Sequence, residues 1–141
     1  MSRISQKRGE ALEVYALAHL RAQGCMVERI ATPFRMVRGK PMRTAKVFAD
    51  IIGLNQHGKG LLVECKNYSR MPRPSDFQPH QKKTLKEWAE RGGVSLVAWI
   101  DGGELHLYPA DYVIRPRAAK PAKPAPHAEE YEPTTIKKKK P

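Results

Sequence analysis

The stretch VFADIIGLNQHGKGLLVECK, residues 47–66, consists of two apolar, β-prone runs on either side of a short polar segment. The segment Asn55–Lys59 is rich in turn-forming residues, so the stretch predicts an antiparallel hairpin with a five-residue loop. If that loop closes symmetrically, Asp50 lies opposite Glu64. The hairpin therefore brings two carboxylates together inside otherwise apolar strands.

Residues two apart in a strand share one face, so Glu64 and Lys66 project together and Cys65 points the other way. Cross-strand Cβ atoms are about 4.5–5.5 Å apart, where two carboxylates repel unless a cation or proton lies between them. Hard oxygen ligands at this spacing suit Mg²⁺, with Mn²⁺ as the alternative. Lys66 beside them could orient or deprotonate a water, or stabilise charge on a phosphate. The set predicts metal-dependent phosphodiester hydrolysis.

A structural interpretation competes with this one: Glu64 and Lys66 could form the solvated face of an edge strand, with Asp50 ending another strand. A bare Glu-x-Lys pattern is weak evidence, because alternating charges are common. Here each charge is flanked by apolar residues, and burying a carboxylate there is costly unless it binds something. The flanking residues favour the functional interpretation.

The surrounding sequence predicts an α/β domain with a central mixed sheet flanked by helices, in the order α-β-β-β-α-β-β. A proline-free segment ending before Gly24 predicts a first helix, and a second helix is expected to be capped by Ser75 or Asp76. Trp88 and Trp99 are assigned to the core. The first helix is expected at 7–23 and the second runs to 91. A strand is expected at 25–30, and a further hairpin at 94–108 turns at 101–103.

Composition divides the chain into a domain at residues 1–115 and a Pro/Lys/Ala-rich segment at 116–141 that is expected to be disordered. Within the domain, residues 32–46 carry several bases and no acid, which predicts a basic, exposed loop or arm. The terminal segment has seven basic and three acidic residues, so the domain keeps +8 of the formal +12 charge. The folded part is basic in its own right.

This charge favours a polyanionic partner, with DNA first and an anionic membrane surface second. No run approaches the roughly 20 apolar residues of a membrane span, and no signal-peptide h-region is visible, so a soluble cytoplasmic protein without membrane contact is expected. Two cysteines without zinc-ligand spacing argue against a zinc site or disulfide framework. The bases expected to contact phosphates are Arg35, Arg38, Lys40, Arg43, Lys46, Arg70, Arg73, Lys82 and Lys83.

Asp50 with Glu64-Cys65-Lys66 resembles the PD-(D/E)xK nuclease superfamily, whose restriction-endonuclease-like core has the element order given above. Residues 7–13, KRGEALE, are similar to the glycine-x-x-x-glutamate start of the archaeal Hjc-like and RecU-type Holliday junction resolvases, which places Glu13 at their helical catalytic glutamate. Residues 77–81, FQPHQ, followed by the glycine turn and strand at 92–97, resemble a RecU-type stretch. The resemblance covers about residues 8–114.

The resemblance implies a homodimeric nuclease that cuts two opposed strands of a four-way DNA junction with Mg²⁺. Asp50, Glu64 and the backbone carbonyl of Cys65 would hold the metal, and Glu13 would support it directly or through a water. Lys66 would act at the water and phosphate. Gln81 would lie near that centre, and the basic arm would occupy the place of the stalk that enters the junction.

Two other functions stay open: a different nuclease on the same core, restriction-like or acting in repair, and a non-catalytic DNA-binding protein. A defined cut sequence on linear DNA would indicate the first. Four retained polar groups, Glu13, Asp50, Glu64 and Lys66, argue against the second, because clustered carboxylates repel DNA unless a metal is bound. Without the resemblance, Glu13 and Gln81 would be ordinary helix-surface residues.

Overall fold

The computed structural model describes residues 3–30, 34–43, 49–115 and 134–137. Three helices and eight strands make up these parts of the chain. The helices are α1 (Arg3–Ala22), α2 (Pro79–Glu90) and α3 (Asp111–Ile114). The strands are β1 (Met26–Arg29), β2 (Phe34–Val37), β3 (Lys40–Arg43), β4 (Ile51–Leu54), β5 (Gly60–Cys65), β6 (Val94–Asp101), β7 (Glu104–Pro109) and β8 (Thr134–Lys137).

Six strands form one mixed sheet in the order β1-β4-β5-β6-β7-β8, and β2 and β3 form a separate hairpin. Strands β5 and β6 are parallel, whereas every other neighbouring pair is antiparallel. The parallel pair needs a crossover connection, which α2 provides. The expected α/β fold with a mixed sheet flanked by helices is confirmed at this level.

The middle strand β6 is buried along nearly its whole length because helices cover both faces of the sheet. Leu96 and Ala98 belong to a core shared with α1, whereas Val97 and Trp99 belong to a second core shared with α2 and α3. A strand covered on both sides is apolar at nearly every position rather than at alternate ones. Trp99 is a core residue, as expected.

The β4–β5 hairpin has the predicted register: Leu54 pairs with Gly60, and Ile51 with Val63. The five-residue loop is held by Asn55, whose side-chain Oδ1 accepts two backbone N–H bonds, each 2.9 Å long. One step beyond the last pair, the same register brings Asp50 level with Glu64. This placement positions the site described below.

The first helix ends as predicted, with Gly24 in the left-handed region at φ 93° and the Cys25 N–H donating to the Leu20 carbonyl. The second helix begins later than predicted. Asp76 instead closes a 3₁₀ turn at Pro74–Asp76 by accepting the Arg73 N–H, and α2 starts at Pro79. Proline suits the first helical position because its missing N–H would have no helical partner there.

The basic arm is more ordered than an irregular loop, because its described part forms the β2–β3 hairpin with Arg38 and Gly39 in the turn. Arg38 adopts φ 52°, an uncommon value for a residue with a side chain. Lys46 lies outside the described residues, as do the other arm residues at 32–33 and 44–45. The hairpin adds two strands to the predicted order.

The prediction of a disordered tail is wrong for Thr134–Lys137, which form β8 along the edge of β7. Ile136 pairs with Leu105 and packs against the core, and Thr135 contacts His106. A short β-branched run can therefore pair, although the average composition of residues 116–141 hides it. The rest of that segment lies outside the described residues, and α3 and β8 extend the predicted order. Among the helices in the described ranges, none is long and apolar enough to cross a bilayer.

Replacing Gly53 by alanine should destabilise the protein by about 3 kcal/mol or more. A Cβ at Gly53 would meet the Met26 carbonyl oxygen and come within 2.7 Å of the Val27 Cα, so β1 would have to move. Urea unfolding would measure the change. Gly9→Ala is the matched control, because its Cβ meets nothing within 4 Å and should add up to about 1 kcal/mol within α1. Equal stability of the two variants would contradict this packing.

Candidate active site

Asp50 is fixed by backbone groups on both neighbouring strands. Its N–H donates to the Val63 carbonyl at 3.1 Å, and its carbonyl accepts the Ile30 N–H at 2.9 Å. Its side-chain Oδ2 accepts the Cys65 N–H at 2.8 Å, and its carboxyl is also hydrogen-bonded to Glu64. The predicted meeting of the two carboxyls across the hairpin is therefore observed.

Glu13 reaches the Asp50–Glu64 pair from α1, which covers the face of the sheet opposite to α2. Its carboxyl is hydrogen-bonded to Asp50, and its Oε2 accepts two bonds from Arg29, at 2.9 Å from Nε and 2.6 Å from Nη2. Glu13, Asp50 and Glu64 are called the acidic centre below. The resemblance placed Glu13 here, whereas ordinary pairing along the helix would not.

Arg29 was missed by the sequence analysis. It occupies the last position of β1 and pairs with Ile51, one residue after Asp50. The pairing of β1 with β4 would have placed Arg29 near Asp50. No tight turn joins these two strands, so the sequence does not fix how they align. The guanidinium supplies a positive charge at the acidic centre, where its partner Glu13 is only 22% exposed.

Gln81 connects Glu64 to Lys66 through its side-chain amide. Nε2 donates to Glu64 Oε1 at 2.9 Å, and Oε1 accepts the Lys66 ammonium at 2.8 Å. The same Oε1 accepts the Gln78 N–H at 2.9 Å, in the manner of a third helical residue that caps the first turn. The start of α2 at Pro79 therefore sets the direction of the amide, which in turn orients both charged groups.

Lys66 is held on a second side by an aromatic ring. Its Nζ lies 4.8 Å from the centroid of Phe77, which is 4% exposed. The backbone N–H of Lys66 donates to the Ala98 carbonyl, which ties the end of β5 to β6. A cation over an aromatic face is stabilised by the ring quadrupole. Lys66 thus has a defined position between Phe77 and Gln81.

All three carboxyls of the acidic centre resist ionisation. Burial raises the pKa of Glu64 to about 8, and the neighbouring Asp50 charge adds to the effect. Burial likewise raises the pKa of Asp50, although the Cys65 N–H opposes the rise. The pKa of Glu13 is raised by burial and by Asp50, against the effect of Arg29. A cation placed among them would relieve this repulsion.

The acidic centre fits a hard divalent cation that keeps several waters. Within the described ranges, no three Asp, Glu, His or Cys side chains form a ready-made metal cage. Mg²⁺ requires less than a cage, since one or two carboxylates with waters and substrate phosphates are its usual ligands. Asp50 and Glu64 provide two carboxylates. The Cys65 carbonyl projects to the same side of β5 as the Cys65 N–H, toward Asp50.

The residues expected to contact phosphates are placed differently from one another. Arg38 and Lys40 are exposed at the turn of the β2–β3 hairpin, and the side chains of Arg35, Arg43 and Lys46 lie outside the described ones. Arg73 is exposed. Arg70 forms an ion pair with Asp76, Lys83 lies 4.0 Å from Glu87, and Lys82 is half-buried. Among the described side chains, the exposed predicted contacts are therefore Arg38, Lys40, Arg73 and Lys83.

These features define an α/β protein with a buried acidic centre, an adjoining lysine held by a glutamine, and a basic surface hairpin. No protein-family model and no curated protein sequence matches the chain.

Proposed function

We propose that this protein is a metal-dependent DNA endonuclease. The observation that carries the proposal is the acidic centre: three carboxyls whose pKa values are raised lie together beside an oriented lysine. Clustered groups with such shifts are typical of catalytic and metal-binding sites. A chain with a formal charge of +12 supplies the attraction for a polyanionic substrate.

In this proposal Asp50 and Glu64 hold Mg²⁺, or Mn²⁺, with the Cys65 carbonyl, and Glu13 supports them. When bound, such an ion acts as a Lewis acid and lowers the pKa of a coordinated water. Gln81 keeps the Glu64 oxygen and the Lys66 ammonium directed into one space. Lys66 orients the attacking water or stabilises the negative charge that develops on the phosphate.

For the substrate, we propose a four-way DNA junction cut by a homodimer on a restriction-endonuclease-like core. The support is the resemblance to the PD-(D/E)xK resolvases together with the β2–β3 hairpin, whose exposed Arg38 and Lys40 extend a basic tip. Phosphate contacts of this kind give affinity without reading sequence. Recognition of DNA shape rather than sequence is what a junction nuclease requires.

The test uses a labelled four-way junction and linear duplexes of the same sequence, with Mg²⁺ and with a chelator. We expect the junction to be cut at least about tenfold faster than the duplexes, no cutting with the chelator, and binding that weakens steeply with salt. Lys66→Met protein, purified in parallel, controls for contaminating nucleases. Equal cleavage of all substrates would refute junction selectivity, and a defined cut site in linear DNA would indicate a restriction-like enzyme. Absence of cleavage with both Mg²⁺ and Mn²⁺ would refute the nuclease.

A further inference from the structure

We propose that Tyr68 and Arg70 form a stacking site for one unpaired DNA base next to the acidic centre. This inference rests on the proposed function in its choice of DNA as the ligand. From the sequence, Tyr68 has no expected role, and Arg70 is expected only to contact phosphate.

Tyr68 is hydrogen-bonded to Lys66, the residue that directly follows β5. Its backbone N–H donates to the Lys66 carbonyl at 2.9 Å, so the chain turns tightly just after the lysine. The residue is 38% exposed, so part of its ring is open to solvent. An accessible aromatic residue therefore follows Lys66 at a distance of two residues along the chain.

Arg70 covers part of that ring and is itself hydrogen-bonded to neighbouring groups. Its guanidinium carbon lies 4.7 Å from the centroid of Tyr68. Two contacts hold it to the Asp76 carboxylate, at 2.7 Å and 3.2 Å, and a third at 3.2 Å reaches the Met71 carbonyl. A fixed guanidinium behind the ring presets the direction of the ring before any ligand arrives.

Asp76 makes this arrangement persistent. Its carboxylate also accepts the Arg73 N–H at 2.6 Å, within the 3₁₀ turn that precedes α2. The hydrogen bonds from Arg70 and from the Arg73 backbone lower the pKa of Asp76 to about 2, so the carboxylate stays charged over the working range of pH. The loop that follows β5 is thus a braced segment with one exposed ring.

The chemistry of the pair suits a base better than a phosphate alone. Every nucleobase has a π face that stacks on an aromatic side chain, and a neighbouring guanidinium strengthens such contacts. A paired base inside a duplex has both faces covered, so only an unstacked base can reach a ring at the protein surface. Gaps in DNA supply such bases, and an open branch point exposes the faces of its innermost base pairs. Arg70 and Arg73 together outweigh the negative charge of Asp76 in the same loop, which leaves it with a net positive charge for the adjoining phosphates.

The alternative is that the Tyr68–Arg70 contact only stiffens the loop. Binding measured in a chelator separates the two, because it needs no cleavage. The full chain would be titrated onto a duplex with a three-nucleotide gap in one strand and onto the gapless duplex. One of the unpaired bases opposite the gap is 2-aminopurine. For the wild type we expect a preference for the gapped duplex and a change in 2-aminopurine fluorescence on binding.

The matched variants are Tyr68→Phe, which keeps the ring, and Tyr68→Leu, which removes it. We expect Tyr68→Phe to keep the preference for the gap and Tyr68→Leu to lower it by about tenfold, while affinity for the gapless duplex stays unchanged. Thermal melting checks that both variants are folded. Equal preference for the gap in the two folded variants would overturn the proposal. An unchanged 2-aminopurine signal in the wild type would overturn it as well, and that result does not depend on whether Tyr68→Leu folds.

The results also separate this inference from the proposed function. Ring-dependent binding of the gap without cleavage in Mg²⁺ or Mn²⁺ would support the stacking site and refute the nuclease. Cleavage that does not depend on the ring, with no gap preference, would support the nuclease and refute the stacking site.

Discussion

Asp50→Asn should lower the rate of magnesium-dependent DNA cleavage by roughly 100- to 1000-fold, the range for loss of one preorganised electrostatic group in an active site. The asparagine keeps an oxygen that can accept the Cys65 N–H, so the local backbone is retained. The lost negative charge is one that the proposed Mg²⁺ site would use. Because burial raises the pKa of Asp50, loss of this carboxylate charge should leave the free energy of unfolding unchanged or increase it. Single-turnover cleavage and urea unfolding of the same preparation would measure both effects.

Asp101→Asn is the matched control for this substitution. Asp101 is exposed at the turn between β6 and β7, where asparagine is equally well accommodated. We expect wild-type cleavage from this variant. Wild-type cleavage from Asp50→Asn as well would show that the acidic centre has no part in the chemistry.

Without divalent metal, the protein should lose stability as the pH rises from about 4.5 to 8. The pKa of Glu64 is about 8 in the folded protein, against about 4.3 in an unfolded chain. Between these values the folded state binds more protons than the unfolded state, so each increase in pH favours unfolding. The stability that protonated Glu64 contributes is fully present below the pKa of this group in the unfolded chain. It is lost as the pH rises through the pKa of this group in the folded protein. Asp50 and Glu13 shift in the same direction.

Glu64→Gln should remove most of this pH dependence, because glutamine keeps the acceptor for Gln81 and cannot ionise. The expected difference between wild type and variant is on the order of 3 kcal/mol in the free energy of unfolding between pH 5 and pH 8. Mg²⁺ should stabilise the wild type more at pH 8 than at pH 5, since it binds the ionised carboxylates. Parallel stability curves for the two proteins would show that Glu64 ionises freely.

The central hairpin was predictable because two local rules agreed. Asn55–Lys59 marked a five-residue loop, and the apolar runs beside it could pair in one symmetric register. That register was sufficient to place Asp50 against Glu64. The positions of Glu13 and Gln81 came from the resemblance, because no local pattern relates a residue on α1 or α2 to the end of a distant strand.

Other parts of the site depend on tertiary contacts that have no signature along the chain. Arg29 reaches Glu13 only because β1 pairs with β4, and Phe77 lies beneath Lys66 only because the 3₁₀ turn delays the start of α2. In the turn of the basic hairpin, Arg38 has a positive φ. Asparagine or glycine at this position would have predicted the turn from the sequence. Residues that break a local preference are the ones that sequence patterns miss.

Strand β8 changes where the folded unit can be cut. A truncation after residue 115, at the boundary that composition suggests, would remove Thr134–Lys137 and leave the backbone groups of β7 without their partners. It would also uncover the side of the core that Ile136 packs against. An unpaired strand edge is a template for self-association, which proteins commonly suppress with lysines along the edge. With β8 in place, the edge strand of the sheet ends in Lys137, which is one lysine of this kind.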